Sequence, residues 1–209
     1  MKTYVIPAYN EEKTIAKVLG RLYGENVLVV NDASTDKTEE IAHVCGAYVL
    51  INKENRGHAY SLIRGLRNAT GEYVFYLDAD DQIRMISLPY GHDLVSGYRV
   101  HRQDKTFRKV VSFILKMVIY LRHGYYIRDA NCPCKMFKRT SLRVLLDELP
   151  KNSVIPSISM EILARKHHFD ILEMPVTHYP YENRKGMLQS LNKKSLKLFW
   201  NAFWEVIWI

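Results

Sequence analysis

The residues with the clearest chemical potential are three carboxylates and an amide that follow an apolar stretch. The stretch 73–77 is apolar and β-prone, and Asp78, Asp80, Asp81 and Gln82 come directly after it. A buried strand that ends in oxygen ligands is suited to hold a divalent cation against a phosphate. A solvated acidic turn would give the same local pattern. The neighbouring segments must therefore decide between a metal site and a turn.

Alternating strand and helix patterns surround this acidic stretch. Strands are predicted at 3–6, 27–30, 47–51, 73–77 and 92–97. The segments between the first four strands carry apolar residues at helical spacing. Asn10 is predicted to cap the first helix, and Asp36 with Glu39 to form a capping box at the second. Strands that alternate with helices predict an α/β fold with a largely parallel sheet covered on both faces.

Polar loops follow four of these strands. They lie at 7–11, 31–32, 53–57 and 78–82. In open parallel sheets, ligands bind beyond the carboxyl ends of the strands. The four loops therefore predict one ligand site at one edge of the sheet.

The second half of the chain is predicted to add helices and one further strand. Helices are expected at 106–121, 140–146 and 161–166, and an edge strand at 171–176, where Pro175 cannot donate to a central ladder. The apolar stretch 113–121 is predicted to pack in the core, with a groove for a lipid chain or contact with the bilayer as the alternative.

The end of the chain places three lysines ahead of three tryptophans. A basic, aromatic helix of this kind suits a membrane interface, and docking on the core or on a second subunit of a homodimer is the alternative. No stretch reaches the roughly 20 apolar residues of a membrane span. The N-terminus lacks the apolar core of a signal peptide, which predicts a protein that is not exported.

Composition excludes several classes of protein. The formal net charge of +8 favours anionic partners, but without a basic recognition helix no nucleic-acid partner is predicted. Three cysteines argue against a disulfide framework, and Cys132 and Cys134 alone do not make a zinc shell. Without a Gly-x-Gly-x-x-Gly turn or a Walker loop, a dinucleotide oxidoreductase and a P-loop NTPase lose their support.

Four motifs in the first half resemble the family-2 inverting glycosyltransferases of the GT-A fold. They are Ile6–Glu12, Val30–Asp36, Asn55–Gly57 and Leu77–Gln82. In the second half, several shorter motifs resemble the polyprenyl-phosphate sugar transferases, including dolichyl-phosphate mannose synthases: Ser96–Arg99, Arg108–Ser112, Asp129–Lys135, Glu161 and Glu173–His178. The resemblance implies a single GT-A (Rossmann-like) domain at 1–189, with a nucleotide-sugar-binding half at 1–100 and an acceptor-binding half at 101–189. An amphipathic helix at 190–209 would follow.

The resemblance also implies roles for individual residues. The donor nucleotide sugar would be bound by Pro7, Tyr9, Glu11, Asp32, Asn55, Gly57 and Asp78. Mg²⁺ or Mn²⁺ would be bound by Asp78, Asp80 and Gln82. A lipid phosphate would be bound by Arg99, Arg108, Ser112, His178, Arg184 and Lys185. The residues predicted to act in catalysis are Asp80, Arg99, Arg108, Asp129 and Glu161.

The implied reaction is inverting transfer of a hexose from a donor of the GDP-mannose or UDP-glucose type to polyprenyl or dolichyl phosphate, by a peripheral protein at the cytoplasmic face of the cell membrane. A phosphate acceptor, with a second pKa of about 6, needs no general base. A glycan or protein hydroxyl would need one, from Asp129 or Glu161. A non-catalytic, membrane-associated nucleotide-binding module is the alternative from another class.

Three features depart from the family pattern. Asn31 stands where many members carry an acid, Pro133 with Cys134 replaces the commoner Gly-Phe, and the segment 82–92 is short for the helix usually found there. A compressed loop beside the acidic stretch is expected to alter acceptor entry or sugar choice.

Overall fold

The computed structural model describes residues 1–84, 87–100, 106–179 and 193–209, with side chains described from Val110 and Lys197 onward in the two helices that follow the last two gaps. The strands are β1 (Lys2–Ala8), β2 (Asn26–Asn31), β3 (Tyr48–Ile51), β4 (Tyr73–Leu77), β5 (Leu94–Val100), β6 (Cys134–Lys138) and β7 (Ile171–Thr177). The helices are α1 (Ile15–Arg21), α2 (Thr38–Val44), α3 (His58–Asn68), α4 (Thr106–His123), α5 (Arg139–Glu148), α6 (Pro156–Lys166) and α7 (Lys193–Trp208).

The strands form one seven-stranded sheet in the order β3-β2-β1-β4-β6-β5-β7. Strands β1 to β4 are parallel, β7 is parallel to β5, and β6 runs antiparallel to both of its neighbours, β4 and β5. The prediction of a mostly parallel sheet flanked by helices is confirmed, and β7 with Pro175 lies at the edge of the sheet. Strand β6 was not predicted, because two lysines interrupt its short apolar pattern.

Successive residues of the buried strands belong alternately to two hydrophobic clusters, one on each face of the sheet. Tyr4 and Ile6 pack with Leu19 of α1, whereas Val5, between them in the chain, packs with Leu62 of α3. This alternation follows from the two-residue period of a strand. Helices thus cover both faces, which leaves the strand ends for ligands.

Glycine allows helix α3 to approach the sheet closely. A Cβ atom at Gly65 would lie 2.4 Å from Cγ1 of Val5 and 2.9 Å from Cγ2 of Val30. Such distances are sterically forbidden, so a larger residue would push α3 away from β1 and β2. The start of α3, which carries part of the candidate site, depends on this packing.

A buried ion pair joins the second half of the sheet to α6. Nζ of Lys135 on β6 lies 2.6 Å from Oε2 of Glu161 on α6, and both side chains are 0% exposed. The hydroxyl of Ser96 on β5 donates to the same Oε2 at 2.9 Å and accepts from Lys135. Since buried charges must be paired, this cluster fixes how β5, β6 and α6 pack.

The change Glu161→Gln is expected to lower the free energy of unfolding by roughly 3–5 kcal/mol, because it leaves Lys135 buried without a counter-ion. Urea denaturation followed by circular dichroism measures this loss. Glu148→Gln is the matched control, since this half-exposed carboxylate pairs with His167 at the surface and should change stability by no more than about 0.5 kcal/mol. Equal losses in the two variants would contradict the prediction.

The C-terminal helix docks on the rest of the protein. Arg122 donates from Nε to the carbonyl of Ile207, and Nε2 of His123 lies 2.6 Å from the carbonyl oxygen of Val206. Glu205 accepts hydrogen bonds from Ser153 and from the backbone of Val154. Among the described helices, none is both long and apolar enough to cross a bilayer.

Candidate active site

The loops after β1 and β2 are joined by hydrogen bonds at the carboxyl edge of the sheet. Asn10 has φ of 54°. Its Oδ1 accepts from the backbone N–H of Thr35 at 2.8 Å, and its own N–H donates to Oγ of Ser34 at 3.0 Å. Helix α1 begins only at Ile15. The prediction that Asn10 caps α1 is therefore wrong, because its side chain instead fixes the second loop against the first.

A second contact joins the same loops. The Asp36 carboxylate accepts from the N–H of Glu12 at 3.1 Å and from the N–H of Thr38 at 3.0 Å. Partial burial opposes ionisation of Asp36, but these hydrogen bonds hold its pKa below its ordinary value. Glu39 does not complete the predicted capping box. Its carboxylate accepts from the side chain of Asn31 at 2.7 Å instead.

This contact explains why an amide suits position 31. Asn31 donates to Glu39 from Nδ2 and accepts from the N–H of Ser34 through Oδ1. An acid in this buried position would face the carboxylate of Glu39 and be repelled by it. Asparagine at position 31, where many family members carry an acid, is thus explained by its hydrogen bond to Glu39 on α2.

Asp32 shapes the loop after β3. Its carboxylate is 2% exposed and accepts from the N–H groups of Arg56 at 2.9 Å and Gly57 at 2.7 Å, and from Nδ2 of Asn52 at 2.6 Å. Gly57 has φ of 86°, which favours glycine at this point of the turn. Asp32 therefore holds in place the loop that carries the exposed Asn55.

Three further donor-site candidates lie in β1 or in the loop that follows it. Pro7 is buried within β1, beside Val30 in the ladder. Glu11 is 4% exposed and accepts from the hydroxyl of Thr14 at 2.9 Å. Tyr9 is 38% exposed. Of these three side chains, that of Tyr9 presents the most surface to a ligand.

Asp78 sits at the end of β4 among polar groups from two elements. Its Oδ1 accepts from the hydroxyl of Tyr76 at 2.9 Å and lies 2.8 Å from Nε2 of His58. Partial burial opposes ionisation of Asp78, but His58, Tyr76 and the charge of Arg99 hold its pKa below its ordinary value. The sequence did not single out His58, although its place directly after Gly57, at the start of α3, was an available signal.

The two following acids point in different directions. Asp81 has φ of 59° and forms ion pairs with Arg21 of α1 and with Arg84. Oδ1 of Asp80 accepts from the N–H of Gln82 at 3.1 Å. Asp81 is therefore held by arginines, whereas Asp80 stays with Gln82 at the strand end.

The end of β7 is tied to the acidic stretch. Gln82 accepts from the N–H of Tyr179 at 2.9 Å and donates from Nε2 to its carbonyl at 3.3 Å. Ile83 forms a β-bridge with the buried His178. These contacts bring His178, predicted on the acceptor side, next to the predicted metal ligands.

The oxygen donors at this edge fit a hard divalent cation. Among the described residues, no three His, Cys, Asp or Glu side chains form a ready metal cluster. Mg²⁺, however, is usually held by one or two carboxylates together with substrate phosphates. Asp78, Asp80 and the amide of Gln82 match that kind of open site, and Asp78 shares one oxygen with His58.

Arg99 on β5 is oriented by a bidentate ion pair. Its Nε and Nη2 donate to the two carboxylate oxygens of Asp129 at 2.7 and 2.9 Å, and the two side chains are 10% and 6% exposed. Such a fork fixes both the position and the plane of the guanidinium. Because Asp129 is neutralised in this way, it is badly placed to act as the general base of a hydroxyl acceptor.

Glu161 does not belong to the site. Its carboxylate is 0% exposed and pairs with Lys135 in the core. A substrate cannot reach a fully buried carboxylate, so the burial of Glu161 favours a packing role over the predicted role in catalysis.

The other acceptor-side candidates are only partly described. Ser112 is half-buried on α4, the side chain of Arg108 lies outside the described residues, and so do Arg184 and Lys185.

The two thiols after Asp129 are closed to metals. Cys132 and Cys134 are 0% exposed. Burial raises the pKa of Cys132 to about 12, so the thiol stays protonated and is a poor zinc ligand.

Curated proteins from an archaeon and a bacterium are similar to this chain. An uncharacterised protein of Methanocaldococcus jannaschii is 29% identical over 191 residues, which cover 82% of this chain and 79% of that protein. An undecaprenyl-phosphate 4-deoxy-4-formamido-L-arabinose transferase of Serratia proteamaculans is 26% identical over 190 residues, which cover 80% of this chain. The match spans only 58% of that transferase.

Solved structures share the fold. Glucosyl-3-phosphoglycerate synthase of Mycobacterium tuberculosis with UDP superposes with a TM-score of 0.73 at 21% identity, over 99% of this chain and 80% of that one. A mannosyltransferase of Pyrobaculum calidifontis with GDP-Man and Mn²⁺ gives a TM-score of 0.63 at 21% identity, over 88% of this chain and 58% of that one. The glycosyl transferase family 2 model matches residues 3–146. The chain therefore belongs to glycosyl transferase family 2 and is a glycosyltransferase of the GT-A fold.

Proposed function

We propose that this glycosyltransferase moves a hexose from a nucleotide diphosphate sugar to a polyprenyl phosphate, with Mg²⁺ or Mn²⁺ as cofactor. Relatives named as undecaprenyl-phosphate transferases support the class of acceptor. Structural neighbours crystallised with UDP, or with GDP-Man and Mn²⁺, support the donor and the metal.

The observation that carries the proposal is the position of Arg99. On β5 it pairs with Val176 of β7, two residues before His178, which bridges to Ile83 beside the acidic stretch, and Asp129 fixes its direction. Asp78 stands at the proposed donor side. A phosphate bound to Arg99 would therefore lie close to the sugar donor, as an in-line attack on the anomeric carbon requires.

The state of the two predicted bases also favours a phosphate acceptor. A hydroxyl must lose its proton during the reaction, and Asp129 and Glu161 are both held in ion pairs. A phosphate monoester attacks as an anion and loses no proton. The site then needs positive charge to bind the acceptor, which Arg99 and Arg108 would supply with Ser112 and His178 as hydrogen-bond donors. Arg184 and Lys185 complete the proposed set.

On the donor side, we assign the nucleotide to the loops after β1, β2 and β3. Tyr9 and Glu11 would contact the base and ribose, Pro7 would shape the first loop, and Asp32 would act by holding Asn55 and Gly57 in place. Asp78, Asp80 and Gln82 would hold the divalent cation. The cation, when bound, would neutralise charge on the departing nucleoside diphosphate.

The lipid acceptor places the enzyme at a membrane. We propose a peripheral protein at the cytoplasmic face, bound through the exposed tryptophans of α7. A homodimer formed through the same helix is the alternative.

The proposal is tested by incubating the protein with Mn²⁺, polyprenyl phosphate and radiolabelled UDP-glucose or GDP-mannose. A product that extracts into organic solvent and releases sugar in mild acid is expected with one of these donors. Labelling of a glycan or protein, with no lipid product from any common nucleotide sugar, would refute the acceptor assignment.

A further inference from the structure

Two neighbouring helices expose apolar stripes to the outside of the protein. The exposed residues include Phe113, Met117 and Leu121 on α4 and Trp200, Trp204 and Trp208 on α7; we call these six residues the α4–α7 face. They follow a spacing of four residues on each helix, which places each set along one side of its helix. Leu121 is 76% and Trp208 79% exposed. Large apolar side chains exposed together on neighbouring helices indicate an interaction site.

Helix α4 carries one apolar stripe outward in addition to the residues that it packs inward. Of its described side chains, from Val110 to His123, only Ile119 is buried. The sequence predicted that 113–121 packs in the core. This is confirmed for Leu115, Val118 and Ile119, which pack in a hydrophobic cluster, and wrong for Phe113, which is 63% exposed. The outward apolar stripe of α4 lacks the partner that such a surface requires in water.

The two helices form one unit. Ile119 of α4 and Val206 of α7 share a hydrophobic cluster, and Arg122 and His123 contact the last carbonyls of α7. A ligand that binds one stripe therefore meets the other close by. The face acts as one surface instead of two separate ones.

The charges on these helices favour an anionic partner. Helix α4 contains Arg108, Lys109, Lys116 and Arg122 and no acid. Helix α7 starts with lysines, and its one acid, Glu205, is turned inward to Ser153 and Val154. Basic residues beside tryptophan and aliphatic side chains suit the headgroup region of an anionic bilayer.

The same charges disfavour a second copy of this chain. A two-fold interface brings the same patch of both subunits together, so it would set two basic helix pairs with few acids against each other. Exposed tryptophans beside basic residues suit a surface that lies on a membrane.

We infer that the α4–α7 face docks on anionic phospholipid, with α4 in the interface as well as α7. The role that we give to docking rests on the proposed function, because docking would bring the site to the phosphate of the lipid acceptor. Binding of the α4–α7 face to phospholipid vesicles can be measured without donor or acceptor.

The three tryptophans provide the assay, because the chain has no others and all lie on α7. Full-length protein is mixed with vesicles of phosphatidylcholine, with or without phosphatidylglycerol. We expect the tryptophan emission to shift to the blue, and the protein to float with the vesicles, only when phosphatidylglycerol is present. Added salt should weaken this binding, since the charges are exposed.

The contribution of α4 is tested by the double change Phe113→Glu with Met117→Glu. Both side chains are exposed, so folding should be retained, and partitioning onto anionic vesicles should fall at least about tenfold. The matched control is Tyr23→Glu with Tyr48→Glu, which adds the same charge at exposed positions outside both helices and should change binding far less.

Three outcomes would overturn the inference: no binding to either kind of vesicle, equal loss in the two double variants, or a wild-type dimer that the α4 variant converts to a monomer. The proposed reaction is tested separately with a short, water-soluble isoprenoid phosphate. Transfer to that acceptor without vesicle binding would refute the docking surface alone, and vesicle binding without transfer would refute the reaction alone.

Discussion

The change Asp80→Asn should lower kcat by about 10²–10³-fold, with a smaller effect on the KM of the donor. An amide in place of this carboxylate weakens the hold on the divalent cation, whose charge is needed most when the diphosphate departs. Oδ1 of an asparagine still accepts from the N–H of Gln82, which preserves the local turn. Initial rates over a range of Mn²⁺ concentrations measure the effect, and more Mn²⁺ should be required.

The neighbouring acid supplies the control. Asp81→Asn removes ion pairs to Arg21 and Arg84, so we expect a loss of about 1 kcal/mol in stability. Its activity should stay within about threefold of the wild type, since it does not face the site. Asparagine also tolerates the positive φ at this position. If Asp81→Asn were as inactive as Asp80→Asn, the assignment of the metal ligands would be wrong.

The change Arg99→Lys should lower kcat/KM for the lipid phosphate by about 30-fold, corresponding to the loss of charge-assisted hydrogen bonds. Lysine keeps the charge but cannot form the planar fork that Asp129 now orients. The donor's KM should change little. Steady-state kinetics with each substrate varied in turn separates the two effects.

Arg128→Lys is the matched control for this experiment. Arg128 precedes Asp129, but it lies over the ring of Tyr98 and pairs with Glu173, so kcat/KM should change by no more than about twofold. Thermal unfolding of both variants accounts for any loss of fold. An equal rise in the KM of donor and acceptor for Arg99→Lys would contradict the assignment of Arg99 to the acceptor.

The parts of the site that were predictable rest on local patterns. The strands that lead to Asp32 and Asp78 are short apolar runs ending in polar residues, and such runs are readable from neighbouring letters of the sequence. The edge position of β7 followed from Pro175 alone. These signals placed the loops correctly at one edge of the sheet.

The directions of individual side chains were not predictable in this way. Asp80 and Asp81 are chemically identical neighbours, and what separates them is a positive φ and an arginine on α1. Asn10 was predicted to be a helix cap because it precedes an apolar helical pattern. Its actual partner, Thr35, belongs to the next loop and cannot be identified from the local sequence. Each distinction depends on a contact between residues that are far apart in the chain.

Lys135 and Glu161 show the same limit in the core. From the sequence alone, each of these charged residues is expected at the surface or in a catalytic site, since buried charges are rare. Their ion pair joins β6, which was not predicted from the sequence, to α6, which was predicted as a helix. Only the fold brings the two charges together and buries Glu161 beside Lys135.

The antiparallel strand β6 has a consequence for the order in which the chain matures during translation. Strand β5, which carries Arg99, is hydrogen-bonded to β6 and β7, both of which are synthesised after it. It makes no ladder with β4, the strand that precedes it. The strand that holds Arg99, which we assign to the acceptor, can therefore complete its ladders only after the chain has been synthesised through β7.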